Sequence, residues 1–425
     1  MVAKRVNLGI LGCGTVGSGL VDLIRRNRTL VSERSGVELD VRRVLVRDLD
    51  KPRNVSRDLL TDRAEAVLVA EDIDVVVELI GGVEPARTFI ARALGARKHV
   101  VTANKAVLAQ AGADLFRLAA AQRKRIGFEA SVCAGIPLIR ALQHGLVGDQ
   151  ISSLCGILNG TNNFILTQMA EEGIGFDAAV KLAQARGFCE ADPSLDLDGV
   201  DATQKLVLLA QIAFGAELAV SDVPVEGIRA IGPEDLRNAR ALGFAVKHVA
   251  VARERGGRLD LRVHPALLPL THPLAAVRNE YNAVLIRGDA VGEMVFEGKG
   301  AGSLPTASAV LADIIDAARD DAPAHLALAV ARPLTDDGEG EVYLRFPIRD
   351  IPGVIGLITT VLGNHGISIR HAAASLVDGS EPRTGNVTIL VHRAPVQTVR
   401  RAVDQIARLP VLVGKPVVLR VLEEE

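Results

Sequence analysis

The sequence predicts an α/β protein in three parts: a doubly wound parallel sheet, a mixed α+β region, and a small C-terminal βαββαβ plait. Three observations carry that prediction. Across residues 1–137, short unbroken apolar runs alternate with amphipathic stretches, the pattern of parallel strands buried under helices on both faces. Residues 138–304 mix helical and strand-like segments of greater length. Residues 332–340, RPLTDDGEG, are rich in Pro, Gly and acids, a linker composition that sets off a compact last unit at residues 341–425.

In the first part, residues 6–11 read as a strand, followed by a glycine turn and an amphipathic helix over 15–28. Further strands are expected at 39–46, 75–80 and 99–102, with helices at 84–94 and 108–123. In the second part, helices are expected at 138–146, 176–186 and 202–213, and strands at 151–157, 247–251 and 284–287. A strong helix over 307–318 places Val310, Leu311, Ile314 and Ile315 on one stripe, and a helix returning near 305–330 is expected to complete the first domain. In the last part, Val342, Leu344, Phe346 and Ile348 alternate as a half-buried strand, and Gly353 opens a helix. Strands at 367–373 and 386–392, a helix carrying Val396, Val399, Val403 and Ile406, and a closing strand at 415–422 complete a ferredoxin-like plait.

Composition narrows the function classes. The chain has 425 residues, 48% hydrophobic and 24% charged, with a formal net charge of −2. That balance is globular and disfavours nucleic acid or a membrane surface held by bulk electrostatics. No Trp and two Tyr leave little with which to stack bases. Cys13, Cys133, Cys155 and Cys189 lack the spacing of a zinc site and read as free thiols of a reducing compartment. No signal peptide is visible, and the longest apolar stretch, 206–220, is interrupted by Gln211 and Glu217. A cytoplasmic protein is expected, with no membrane and no nucleic-acid partner.

The glycine turn Gly12-Cys13-Gly14-Thr15-Val16-Gly17 is G-x-G-x-x-G between a strand and a helix. Gly12 makes the tight turn, Gly14 lets a pyrophosphate approach, and Gly17 lets helix and strand pack closely. The helix start then offers free N–H groups to the phosphates. This predicts a Rossmann-type dinucleotide domain. After the second strand, Arg47 and Asp48 stand side by side, with Lys51 and Arg53 close behind. An acid there suits a ribose hydroxyl and an Arg a 2′-phosphate; the basic balance favours NADP over NAD.

Residues 187–201 hold five acids and run into Lys205 on an apolar helix, with Asp201 and Lys205 four apart on one face. The segment reads either as a solvated loop with a surface ion pair, or as a pocket for a small zwitterion with a lysine for proton transfer. The acid density beside a dinucleotide domain favours the second. Lys105 follows a strand of the first domain, where strand ends line the cofactor crevice, and reads either as a lysine reaching the nicotinamide side or the substrate, or as a surface lysine. Two lysines in one cleft are expected to repel and lower one pKa toward neutrality.

The strings GILGCGTVG, TANKAVLA, EASVCAGIPLI, GILNGTNNFILT, GFCEADPSLDLDGVDATQKL, HPLAAVRNEYNAV and GKGAGSLPTASAV carry a resemblance over nearly the whole chain. The chain resembles monofunctional homoserine dehydrogenases with a C-terminal ACT domain; no kinase-sized segment precedes the dinucleotide domain, so a fused aspartokinase is not expected. The resemblance implies reversible, NAD(P)H-dependent reduction of L-aspartate 4-semialdehyde to L-homoserine in threonine and methionine biosynthesis. It implies Lys205 as proton donor, Glu190, Asp196 and Asp201 as holders of the amino acid, and Lys105 beside nicotinamide and substrate. Gly187 and Gly302 would line the cofactor site with Thr15 and Val16. A monovalent cation, expected to be sodium, would sit on backbone oxygens of Glu129, Val132, Ala134 and Ile136. Cys133 and Lys299 depart from the family's small residue and Pro. Threonine is the expected effector of the last domain, and a homodimer or homotetramer the expected assembly. The alternatives are another amino-acid or hydroxy-acid dehydrogenase on the same scaffold, or a non-catalytic amino-acid sensor.

Overall fold

The computed structural model describes residues 3–319, 332–335, 338–376 and 383–422. Six strands, β1 (Lys4–Leu11), β2 (Val37–Leu45), β3 (Leu60–Thr61), β4 (Val75–Glu78), β5 (His99–Thr102) and β6 (Ile126–Gly127), form one parallel sheet in the order β3-β2-β1-β4-β5-β6. Strand order reverses beside β1, the place where doubly wound sheets bind ligands at their carboxyl ends. Both faces are buried, which is why Val75, Val76 and Val77 run without alternation. Leu8 and Ile10 face the helices Thr15–Arg26 and Ser303–Arg319, while Leu11, Val76 and Val100 face Ala86–Gly95 and Lys105–Ala121. The returning helix is therefore part of this domain, tied to it by Ser303 Oγ donating to the Thr15 carbonyl at 2.8 Å. The expected continuation to residue 330 lies outside the described residues from 320 onward.

The second sheet has nine strands: β7 (Ile151–Ile157), β8 (Phe244–Arg255), β9 (Arg258–Pro269), β10 (Tyr281–Gly288), β11 (Gly292–Lys299), β12 (Glu339–Arg349), β13 (Ile369–Leu376), β14 (Thr384–Pro395) and β15 (Val417–Val421). Their order is β11-β10-β7-β8-β9-β15-β12-β14-β13. The last four form the antiparallel sheet of the plait, and the helices Val354–Asn364 and Val396–Ile406 cover one of its faces. Its other face, through Tyr343, Leu390, Val417 and Leu419, shares a core with Phe164, Leu197, Ile228 and Leu236. The plait is also joined edge to edge, β15 pairing in parallel with β9 at Arg420–Ala266 and Val421–Leu267. The linker composition suggested a tether, yet Leu334 bridges Leu259, fastening that stretch to β9 as well.

Local departures from the sequence reading have physical causes. The helix expected over 138–146 is a turn, Leu138–Arg140, followed by a π-helical turn, Ala141–Gly145, closed by Leu146 N donating to the Ala141 carbonyl. The helix Gly160–Glu172 is buried on all sides from Thr161 to Met169, so it has no apolar stripe to read. Strand β9 is interrupted in sequence by Pro265, a residue that argues against a central strand; pairing with β15 begins only at Ala266. Among the described residues no helix is long and apolar enough to cross a membrane.

Candidate active site

The carboxyl end of the parallel sheet meets the second domain at a compact charged cluster. Asp201, in the first turn of the helix Val200–Phe214, accepts from Lys205 Nζ at 2.7 Å and lies 3.2 Å from Lys105 Nζ. Lys105 opens the helix Lys105–Ala121, directly after β5, and Asn104 caps that helix by accepting from Val107 N at 3.2 Å. Lys205 Nζ also donates to the Leu158 carbonyl at 2.8 Å. Asn159 donates through Nδ2 to Asp201 Oδ2 at 2.9 Å and to Asp196 Oδ1 at 2.7 Å, so one amide spaces two carboxylates. Asn162 donates to the Asp196 carbonyl and to His248 Nδ1. The Glu226 carbonyl can only accept, so His248 carries its proton on Nε2; burial pushes this imidazole down to about 4 and keeps it neutral.

The electrostatics correct one expectation. Repulsion between the two lysines does not lower Lys205. Burial is the largest single influence and works against its charge, but the charge and hydrogen bond of Asp201, with Cys133 and Asp196 beside it, together outweigh burial and raise the ammonium above its ordinary range. Asp201 is likewise penalised by burial, and Lys205 and Lys105 together hold it well below the usual carboxylate range. Asp196, with burial dominant over the Asn159 hydrogen bond, is raised. A carboxylate placed between two ammonium groups converts a repulsive pair into an attractive triad. Lys205 is thus held as a charged ammonium with little exposure to solvent.

The glycine turn has the geometry its three roles require. Gly12 has φ +99°, and a Cβ there would come within 2.7 Å of the Leu79 carbonyl oxygen. A Cβ on Gly17 would collide with the Gly12 carbonyl. Around Gly14 nothing lies within 4 Å of such a Cβ, leaving the backbone at the start of Thr15–Arg26 open to a ligand. Gly302, at φ +121°, precedes the helix whose Ser303 touches Thr15. Arg47 lies two residues beyond β2, is exposed, and makes no ion pair or side-chain hydrogen bond among the described residues. Asp48 Oδ1 is taken up in its own turn by the backbone N–H groups of Asp50 and Lys51.

Below the cluster, the 129–136 loop is drawn tight. The Glu129 carboxylate accepts from Ile139 N at 2.9 Å and Arg140 N at 2.8 Å, and Gly135 N donates to the Lys299 carbonyl at 3.0 Å. Cys133 has φ +49° and receives Asn282 Nδ2 on its sulfur; burial pushes its thiol up to about 11. The carbonyls of Val132 and Ala134 accept no hydrogen bond among the described residues, whereas that of Ile136 accepts from Leu138 N.

Family models agree with this layout. One described as "Homoserine dehydrogenase, NAD binding domain" matches residues 12–129, and one described as "Homoserine dehydrogenase" matches residues 137–315. The homoserine dehydrogenase of Synechocystis sp. is 40% identical over 437 residues, covering 98% of this chain and 99% of that protein. The chain belongs to the homoserine dehydrogenase family. It is an NAD(P)-dependent oxidoreductase acting on a CH–OH group. The crystal structure of a homoserine dehydrogenase from Thiobacillus denitrificans superposes with a TM-score of 0.91 at 39% identity, covering 99% of each chain. A hyperthermophilic archaeal homoserine dehydrogenase in complex with NADPH gives a TM-score of 0.62 at 30% identity, covering 75% of this chain and 99% of that one.

For a homoserine dehydrogenase read from sequence, the structure brings Lys105, Asp196, Asp201 and Lys205 together. Glu190 is exposed on the loop after Gly187, and its backbone carbonyl accepts from Gln184 Nε2. Gly187, at φ +72°, ends the helix Phe176–Ala185 by donating to the Gln184 carbonyl. The residues that sequence reasoning missed are Asn159, Asn162 and Glu78. Buried Glu78 ends β4, accepts from Thr102 Oγ1 at 2.6 Å and from Ile80 N at 2.7 Å, and so braces the strand ends around Lys105. An Asn-Gly pair opening a helix was the available signal for Asn159, which caps that helix through Asn162 N at 2.8 Å. Cys155 is buried and its thiol pushed up to about 12 by burial, which suits packing rather than attack.

Proposed function

We propose that this chain reduces L-aspartate 4-semialdehyde to L-homoserine, with NADPH preferred, and that Lys205 supplies the proton. The observation that carries this reading is the Lys105–Asp201–Lys205 triad where the dinucleotide sheet meets the second domain. A nicotinamide cofactor, when bound at the glycine turn, supplies the hydride to the aldehyde carbon. The chain's own residues do the rest. Lys205 Nζ, held charged by Asp201 and aimed by the Leu158 carbonyl, donates a proton to the oxygen as it gains charge. Asp196 and Asp201, spaced by Asn159, receive the substrate's ammonium, with Glu190 joining from its loop. Lys105 spans from the cofactor crevice to Asp201, so substrate and cofactor sites share one charge. In the reverse direction Lys205 accepts the alcohol proton, and the same triad serves both ways.

The basic Arg47, unpaired among the described residues, and the self-occupied Asp48 favour a 2′-phosphate, hence NADP. Gly187 and Gly302 would border that cofactor beside Thr15 and Val16. A hard monovalent cation, sodium in this reading, fits the 129–136 loop on the backbone oxygens of Glu129, Val132, Ala134 and Ile136; the unpartnered Val132 and Ala134 carbonyls support it. The βαββαβ plait supports assignment as an ACT-type domain binding threonine, in a cytoplasmic enzyme of threonine and methionine biosynthesis that works as a homodimer or homotetramer. Steady-state assays of the full chain with aspartate semialdehyde and each reduced cofactor test the core of this. Turnover with a higher kcat/KM for NADPH is expected; no turnover with either cofactor would refute it.

A further inference from the structure

A buried polar latch binds the C-terminal plait to the catalytic body, and its inner end leads to the backbone of the acidic segment 196–198. Asp235, fully buried on the helix Pro233–Ala241, accepts from Arg345 Nε at 2.7 Å and Nη2 at 3.0 Å, and from Tyr343 Oη at 3.0 Å. Both donors stand on β12. Arg345 Nη1 also reaches Asn386 Oδ1 at 3.2 Å and Glu234 Oε1 at 3.1 Å. A bidentate guanidinium–carboxylate pair fixes orientation as well as distance, and in a buried site neither partner can be released cheaply.

The same Asp235 holds the catalytic side. Its Oδ2 accepts from Gly232 N at 2.8 Å, fastening the 226–232 turn to the helix start. That turn lies on the substrate segment. Ile228 N donates to the Leu197 carbonyl at 2.9 Å, and a Cβ on Gly227 would collide with that same oxygen. Arg229 holds Asp198 through Nε at 2.5 Å and Nη2 at 3.3 Å. A second connection runs from the Glu226 carbonyl through His248 to Asn162, and from Asn162 Nδ2 to the Asp196 carbonyl at 2.7 Å. Leu197, Ile228 and Leu236 share their apolar core with Tyr343 and Leu390 of the plait. The backbone at residues 196–198 is therefore held at the Asp196 carbonyl and at Leu197 and Asp198, by contacts that lead back through the 226–232 turn to Asp235.

We propose that Asp235, Arg345 and Tyr343 are positioning residues for the amino-acid substrate: the seating of the plait, carried through this latch and the 226–232 turn, sets the placement of Asp196 and with it the affinity for the substrate's ammonium. The proposal rests on the reading of Asp196 as an ammonium holder. None of the three touches the reacting atoms, and hydride and proton transfer are left to the triad. It also gives any ligand that shifts the plait a direct mechanical route to substrate affinity.

The test uses the full-length enzyme in homoserine oxidation, with Arg345→Lys, Tyr343→Phe, Asp196→Asn and the Arg345→Lys/Asp196→Asn double variant. Arg345→Lys keeps the charge but loses the paired geometry; Tyr343→Phe removes one hydroxyl and stays close to native volume should the first fail to fold. Homoserine KM is expected to rise about three- to thirtyfold in Arg345→Lys and less in Tyr343→Phe, with kcat and the NADP KM within twofold. In the double variant the two KM effects should fall short of their product, because both act on one group. A purely structural latch would lower Tm and leave the ratio of the two KM values unmoved, which would overturn the proposal. If Asp196→Asn raises homoserine KM while Tyr343→Phe and Arg345→Lys do not, the latch is wrong and the reading of Asp196 stands. If Asp196→Asn leaves homoserine KM unchanged, that reading fails and takes the proposal with it.

Discussion

Replacing Asp201 by Asn removes the charge that keeps Lys205 protonated while preserving the side chain's shape. The carboxylate sits 2.7 Å from Lys205 and 3.2 Å from Lys105, with both members of the Asp201–Lys205 pair only 12% exposed. Breaking a buried ion pair costs about 3–5 kcal/mol. Part of the support for Lys205 survives, since the Leu158 carbonyl still accepts from Nζ and Asp196 remains nearby. Taking about 3 kcal/mol as the loss, at roughly 1.4 kcal/mol per pH unit, the alkaline limb of the reduction profile should move down by about two pH units. The assay is kcat against pH at saturating aspartate semialdehyde and NADPH, since Asp201 also bears on substrate KM. Reduction should fail first at alkaline pH and recover toward acid pH. The stability gap to wild type follows from the signs of the two shifts. Asp201's lowered pKa contributes stability above the ordinary aspartate range that is lost as pH falls through the lowered value; Lys205's raised pKa contributes below the ordinary lysine range and is lost as pH rises through the raised value. The Tm difference should thus be full between about pH 4 and pH 10 and shrink outside. A uniform loss of kcat at every pH, with the limb unmoved, would refute the assignment of Asp201 as the group that charges Lys205.

Arg47→Ala should raise the KM for NADPH about tenfold or more and leave that for NADH nearly unchanged, since only the former loses a charge-assisted contact; equal losses would make Arg47 structural. Activity should fall in buffer rigorously freed of sodium and potassium and return on adding sodium, and unchanged rates there would remove the cation from the 129–136 loop. Threonine at millimolar concentration should inhibit the full chain, and no inhibition together with no binding by calorimetry would leave the plait without that effector.

Much of the site was legible because its chemistry is local in sequence. The glycine turn declares itself by residue type: Gly12 has a backbone conformation that suits glycine, and at Gly17 a Cβ would meet the Gly12 carbonyl. Asp201 and Lys205 are four apart on a helix, so their contact follows from the helical period. Both lysines were expected in one cleft, but the Asp201 carboxylate that lies between them joins groups from different domains, and leaving it out reversed the sign of the expected pKa shift. Asn159 and Asn162 act through single amides whose geometry no composition encodes. The plait's element order was readable from alternation, but its seating was not. The Tyr343 face is apolar like any core face, and nothing local says that Asp235 waits opposite Arg345. A polar stretch before β12 reads as a tether until Leu334 is seen against Leu259.

The central claim is that Lys205 is the proton donor, and the most direct measurement is kcat of Lys205→Ala against wild type. It requires saturating aspartate semialdehyde and NADPH, with NADPH affinity measured alongside. A general acid accounts for roughly 10²–10⁴ in rate. The account predicts a loss of that size in kcat with NADPH binding retained, because the glycine turn and Arg47 are untouched. Near-normal turnover by a folded Lys205→Ala enzyme would contradict it.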